Sequence, residues 1–234
     1  MNSLIYEKAF STYKTHHQAN NGGRDTLTNI DIVNNILQEH FPFDVANCIE
    51  TGGSHNWNDG MAGLYFCLLS NLTNGIFHSV DNDNSIHEKV INAFKKVDPT
   101  LIGLHTTSDS INFLNEIDFI PNLLYLDSWD LNLYNPFPSA VHTLREFLAI
   151  EYKMPVGSII IIDDNYFSDF HAPTCVDCHN TDGSIERITL PYPVIGKGSN
   201  IYAWVDTAID CPWKFLSSNP DTPTGRNVIV IQKQ

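Results

Sequence analysis

Two rhythms of apolar and polar residues divide this chain. Near the N-terminus the spacing is helical. Ile5, Ala9 and Tyr13, with Phe10 alongside, fall on one helix face. A polar stretch from His16 to Arg24 follows, with Asn20-Asn21-Gly22-Gly23 as a loop. Thr28 reads as an N-cap ahead of Ile32, Val33, Ile36 and Leu37, which predicts a second amphipathic helix. From residue 45 short apolar runs alternate with amphipathic stretches. The runs predict strands over 45–50, 76–80, 101–105, 123–126 and 158–162, with helices near 59–71, 85–96, 110–115 and 139–152. Runs with no polar face, such as Ile159-Ile160-Ile161-Ile162, are strands buried on both sides, as in a parallel sheet flanked by helices.

That alternation means βαβ units with right-handed crossovers. The predicted fold class is α/β, a Rossmann-like doubly wound sheet, mostly parallel. After Asp164 the pattern breaks into turn residues and a strand over 185–190, then a helix over 200–208. Strands over 213–217 and 227–231, separated by a turn rich in Pro, Asp and Gly, predict an antiparallel C-terminal hairpin. The chain reads as one domain, 1–234. A helical cover spans 1–44, a cofactor-binding core 45–165, an insertion or lid 166–198, and the last helix with the hairpin 199–234.

At 234 residues and 42% apolar, one domain can bury a sizeable core. The net charge of −14 argues against nucleic acid or an anionic membrane as partner, because phosphates recruit Lys and Arg. No run reaches the roughly 20 apolar residues of a membrane span, and Met1 to Lys8 lacks the basic start and apolar core of a secretion signal. Five cysteines cannot all pair, which fits a reducing, cytoplasmic setting. The sequence leaves a homo-oligomer open.

Chemistry concentrates at the strand ends, where the crevice of an open α/β sheet lies. Ile49-Glu50-Thr51-Gly52-Gly53-Ser54 follows the first strand; its glycines let backbone approach a ligand, although a plain tight turn explains them as well. Asp81, in Ser79-Val80-Asp81-Asn82-Asp83, can accept both hydroxyls of a ribose, or Asp81 and Asp83 can serve a turn and a helix cap. Ser108 and Asp109 at the third strand end suit an adenine edge or a cap. The fourth strand ends in Leu126-Asp127-Ser128-Trp129-Asp130 and the fifth in Asp163-Asp164. Carboxylates from neighbouring strand ends can close on one hard divalent cation.

These residues resemble the class I S-adenosylmethionine-dependent methyltransferases, and among them the metal-dependent O-methyltransferases of the catechol and macrocin types. The likeness runs over about 45–165. The catechol type carries Leu-Asp-His-Trp-Lys after strand four, where this chain has Leu126-Asp127-Ser128-Trp129-Asp130. The resemblance implies Asp127, Asp163 and Asp164 as ligands of Mg²⁺ or another divalent cation, and Trp129 beside the adenine. The family lysine that acts as base is replaced by Asp130, as in the macrocin-type Asp-Gly-Asp pattern but one residue further on. It also implies that Glu50, Thr51, Gly52 and Gly53 line the methionine part of the cofactor, that Asp81 holds the ribose, and that Ser108 and Asp109 lie near the adenine.

The function implied is O-methylation of a small hydroxylated substrate. A metal would lower the acceptor pKa and Asp130 would take its proton. The alternative is a non-catalytic nucleoside-binding or regulatory module on the same fold. Cys175 and Cys178, flanked by His171 and His179 with Cys211 downstream, have the spacing of a structural zinc site, but a second well-spaced pair is missing and a lid loop with free thiols is the simpler reading. His105 sits at a strand end as a candidate core histidine.

Overall fold

The computed structural model describes residues 3–20, 24–53, 57, 60–167, 175–179, 184–189, 194–218 and 227–234. Two helices, α1 (Ser3–Ala19) and α2 (Arg24–His40), precede the sheet. Five strands then alternate with helices: β1 (Cys48–Thr51), α3 (Ala62–Leu72), β2 (Phe77–Asp81), α4 (Asn84–Val97), β3 (Leu104–Thr107), α5 (Ser110–Glu116), β4 (Leu123–Leu126), α6 (Phe137–Ile150) and β5 (Ile159–Phe167). The remainder comprises β6 (Cys175–His179), β7 (Ile185–Thr189), β8 (Val194–Gly196), α7 (Ser199–Thr207), β9 (Trp213–Ser218) and β10 (Asn227–Lys233).

The main sheet runs β3-β2-β1-β4-β5-β10-β9, with β8 paired to β5, while β6 and β7 form a separate ribbon. β1 to β5 pair in parallel, and β8, β9 and β10 are antiparallel to their neighbours. The doubly wound expectation therefore holds. Strand order reverses between β1 and β4, and that is where such sheets bind ligands.

The buried runs work as their lack of polar positions implied. Alternate residues of one strand serve opposite faces. Tyr125, Ile159, Ile161 and Val230 join the core under α1 to α4, whereas Leu124, Leu126, Ile160, Ile162 and Ile231 join the core under α6 and α7. α1 packs on both α2 and α3, so the N-terminal helices are part of one face of the domain.

Several boundaries differ from the sequence reading. Thr28 lies inside α2, which starts at Arg24. β1 starts at Cys48 rather than 45, because the amides of Ala46 and Asn47 are bound by the side chains of Thr73 and Asn122, at 3.0 and 2.9 Å. β3 starts at Leu104, because the Ile102 amide donates to the Asn71 side chain at 2.9 Å. In each case a side-chain acceptor takes the place of a strand neighbour. β5 runs five residues beyond its expected end, since β8 and β10 continue to pair with it at Asn165.

Three histidines cluster where β2, β3 and α4 meet. The His87 and His105 rings are 5.4 Å apart. Among the described residues His78 Nδ1, His87 Nε2 and His105 Nδ1 have no hydrogen-bond partner, and His105 is half-buried on the edge strand rather than a satisfied core histidine. Burial lowers the pKa of all three, and the charge of His87 lowers His78 and His105 further; His105 is pushed down to about 4. Such imidazoles bind protons more readily unfolded, where the pKa is about 6.5, so they favour folding above that pH and cost stability as pH falls from there toward 4. Urea unfolding at pH 5 should show a lower midpoint than at pH 7.5, and His105→Gln should flatten that dependence by about 1 kcal/mol.

Candidate functional site

The turn after β1 is shaped by glycine. Gly52 has φ 79°, and a Cβ there would stand 2.6 Å from the Asp127 carbonyl oxygen, so only a hydrogen fits between this turn and the end of β4. The Gly52 amide donates to the Val80 carbonyl at 2.9 Å and the Gly53 amide to Asp81 Oδ2 at 2.9 Å. Asp81 Oδ1 accepts from the Asp83 amide at 2.8 Å, so this carboxylate is held from two sides. Asp83 and Asp109 cap α4 and α5, accepting from Ser85 and Asn112 amides at 2.8 and 2.9 Å. The cap reading thus holds for both residues, yet both also face the crevice.

These strand ends enclose a cavity of about 550 Å³. Its lining includes Gly52, Gly53 and Asp81, then Ser108, Asp109 and Trp129, and the carboxylates Asp127, Asp130, Asp163 and Asp164. Sequence reasoning assembled ten of its twelve site residues on this one surface. Glu50 and Thr51 are the exceptions. Both are buried and neither lines the cavity. Glu50 Oε2 accepts from Ser79 Oγ at 2.9 Å, and the carboxylate lies where a Cβ on Gly63 would be, so it braces the turn against α3 from behind.

The Trp129 end was only partly legible. Trp129 has φ 67° and is exposed, with its ring 5.2 Å from that of His142 on α6. His142 Nε2 is 3.1 Å from Ser110 Oγ and 3.5 Å from Glu146 Oε1, which also accepts from Ser128 Oγ at 2.5 Å. Glu146 and His142 are one helical turn apart, but nothing local marked that face as part of a site.

The carboxylate cluster forms, but around a group the sequence did not point to. Lys197, in the turn after β8, is 2% exposed. Its ammonium donates to Asp127 Oδ1 at 2.5 Å, to the Asp127 carbonyl at 3.0 Å and to Asp164 Oδ2 at 3.0 Å. Burial alone would lower its pKa, but Asp127, Asp164 and Asp163 hold it above the ordinary lysine value, so it remains protonated. Asp163 accepts from Tyr125 Oη at 2.6 Å and from Asn29 Nδ2 at 3.3 Å. Burial and then Asp164 push the Asp163 carboxyl above its usual range, and burial does the same for Tyr125.

Lys197 is placed by β5 and β8 together. Asp164, at φ 56°, bends β5 beyond the end of β4, and β8 returns along it with Gly196 opposite Asn165. A Cβ on Gly196 would stand 2.2 Å from the Asp164 carbonyl. Asn165 Oδ1 then accepts from the Gly198 amide at 2.8 Å, closing the turn that carries Lys197.

This arrangement lends no support to the divalent-metal expectation for Asp127, Asp163 and Asp164. A 2+ ion beside Lys197 at ~4 Å would be repelled by about 8 kcal/mol at an effective dielectric of about 20. The oxygens it would need already accept from Lys197, Tyr125 and Asn29. Among the described residues no group of three or more His, Cys, Asp or Glu side chains is arranged to hold a metal. The zinc expectation also meets the backbone. Cys175 and Cys178 belong to the extended β6, paired with Thr189 and Glu186, so the chain does not turn back between them, and three residues of strand span about 10 Å. His171 lies outside the described residues.

No family model matches the chain, and no curated protein matches it. Solved structures do match in fold. The SMU.1697c protein of Streptococcus mutans, in complex with S-adenosylhomocysteine, aligns with TM-score 0.55 at 10% identity over 88% of this chain and 98% of its own. The S-adenosylhomocysteine-bound methyltransferase PaMTH1 of Podospora anserina aligns with TM-score 0.55 at 13% identity, over 98% of this chain and 88% of its own. An rRNA methylase of Streptococcus thermophilus aligns with TM-score 0.53 at 11% identity, over 88% and 96%. The architecture is therefore the class I S-adenosylmethionine-dependent methyltransferase fold. No helix among the described residues is long and apolar enough to cross a membrane.

Gly52 has no room for a side chain. Gly52→Ala must place a Cβ at positive φ against the end of β4, and chemical denaturation should show a loss of about 1–3 kcal/mol. A loss below a few tenths would mean that the two turns do not press together as described.

Proposed function

We propose that this chain transfers the methyl group of S-adenosylmethionine to a hydroxyl of a small molecule. The observation that carries the reading is the juxtaposition, in one cavity, of a nucleoside-type cradle and a separate carboxylate-lined end. The fit of the cofactor rests on three features. The Gly52-Gly53 turn carries no side chain that would keep the methionine part away. Asp81, held by the Gly53 and Asp83 amides, is oriented to accept ribose hydroxyls. Trp129, Ser108 and Asp109 line the space for the base.

Bound there, S-adenosylmethionine supplies an electrophilic methyl group, which the acceptor oxygen takes as the C–S bond breaks with its electrons left on sulfur. The chain's own task is to position the acceptor and remove its proton. Asp130 suits the second role: it lines the cavity, is exposed, and makes no hydrogen bond or ion pair among the described residues. The helical cover contributes to the acceptor end through Asn29, which reaches Asp163 from α2.

The charge of the cavity favours the acceptor class. Asp81, Asp83, Asp109, Asp127, Asp130, Asp163 and Asp164 line it against Lys197, and the whole chain carries −14. Such a wall attracts a sulfonium and repels polyphosphate, so the reading is a small neutral or cationic acceptor rather than RNA.

Calorimetry with S-adenosylhomocysteine should show binding that Asp81→Ala weakens about tenfold or more. Absence of binding at millimolar ligand would reject the reading. With phenols, sugars and polyketide alcohols as acceptors, mass spectrometry should find a methylated product. Asp130→Asn should then lower kcat by about 10²–10⁴ while leaving S-adenosylhomocysteine affinity unchanged.

A further inference from the structure

The carboxylates at the ends of β4 and β5 gather around a lysine ammonium. We propose that Lys197 is the resident cation of this site, a tethered replacement for a metal ion, so that the site assembles and works without a divalent cation. This inference rests on the methyltransferase reading for what the site does, but not for how the cluster is built.

Three observations carry it. The first is placement. Asp127 and Asp164 come from separate strands, and Lys197 Nζ lies 2.5 and 3.0 Å from their carboxylate oxygens and 3.0 Å from the Asp127 carbonyl. These three acceptors match the three donors of an ammonium, so none of its hydrogens is left without a partner. The second is confinement. Lys197 is 2% exposed, and its turn is closed by the Asn165–Gly198 hydrogen bond and by the approach of Gly196 to β5. The third is charge. Asp127, Asp163 and Asp164 are mutually repulsive at the end of a buried sheet. One tethered positive charge offsets part of that repulsion at all times, with no dependence on metal concentration.

Lys197 is therefore a positioning residue. With all three of its hydrogens committed, it does not reach the acceptor itself. It holds Asp127 against the Gly52 turn and Asp164 against β8, and so sets the wall that the acceptor meets. An ion-pair partner removed from such a setting leaves uncompensated carboxylates, which a hard cation can then satisfy with its oxygen-only preference.

The test uses Mn²⁺ as probe and does not need the acceptor. Electron paramagnetic resonance of the full chain with Mn²⁺ should show no bound ion at stoichiometric concentrations, and thermal unfolding should be unchanged by Mg²⁺, Mn²⁺ or EDTA. Lys197→Ala should bind about one Mn²⁺ per chain and gain thermal stability with added Mn²⁺ or Mg²⁺. Lys197→Met, which keeps much of the side-chain volume without its charge, serves if the alanine variant does not fold. Tight Mn²⁺ binding by the unaltered chain, or variants that fold yet bind no metal, would overturn the proposal. S-adenosylhomocysteine binding measured in parallel separates the two ideas: its absence defeats the methyltransferase reading, while the metal result still decides the role of Lys197. If transfer is observed, it should survive EDTA in the unaltered chain, and in Lys197→Ala added Mg²⁺ should restore part of the lost kcat.

Discussion

One buried ion-pair cluster governs how this domain closes its binding edge. Lys197 joins the ends of β4 and β5 by bonding Asp127 and Asp164 at once. Removing two or three aspartates from water at a sheet edge is unfavourable unless positive charge accompanies them. Here that charge is covalently attached and arrives from a strand that follows β5 by some thirty positions. The bend at Asp164 and the return of β8 along β5 are what bring that charge to the edge.

The cavity divides into two parts with different origins. One part is built from local turns. Gly52 and Gly53, Asp81 with Asp83, and Ser108 with Asp109 each follow a strand directly, and their mutual hydrogen bonds lie between adjacent parallel strands. The other is built from long-range contacts. Asn29 reaches Asp163 from the N-terminal cover, Tyr125 donates to Asp163 across β4 and β5, and Lys197 comes from the far side of the insertion.

The sheet itself shows why burial and function coexist at one edge. β1 and β4 are buried along their whole length, so their positions are set by packing on both faces. The polar residues begin where those strands end. Glu50 is the revealing case: an acidic residue inside β1, it looked like a cofactor ligand, but it is turned away from the cavity toward Ser79 and α3. Alternation along β1 sends Glu50 to the same face as Cys48, the face that α3 covers.

What the chain determined alone was the periodic part: strands with no polar face, helices between them, glycines and aspartates at the turns. These follow from local sterics and from burial on two faces, so the parallel part of the sheet and most of the cavity wall were legible from residues 45–165, and the closing hairpin from residues 213–231. The tertiary structure alone decided which charge meets the strand-end aspartates. Lys197 has no neighbouring motif and stands 70 positions from Asp127, and His142 belongs to a helix whose pattern marks only its buried face. Hydrophobic periodicity reports which side of an element is covered, but it carries no information on which distant side chain will be brought there, because that depends on how far β5 extends and on where β8 turns back along it.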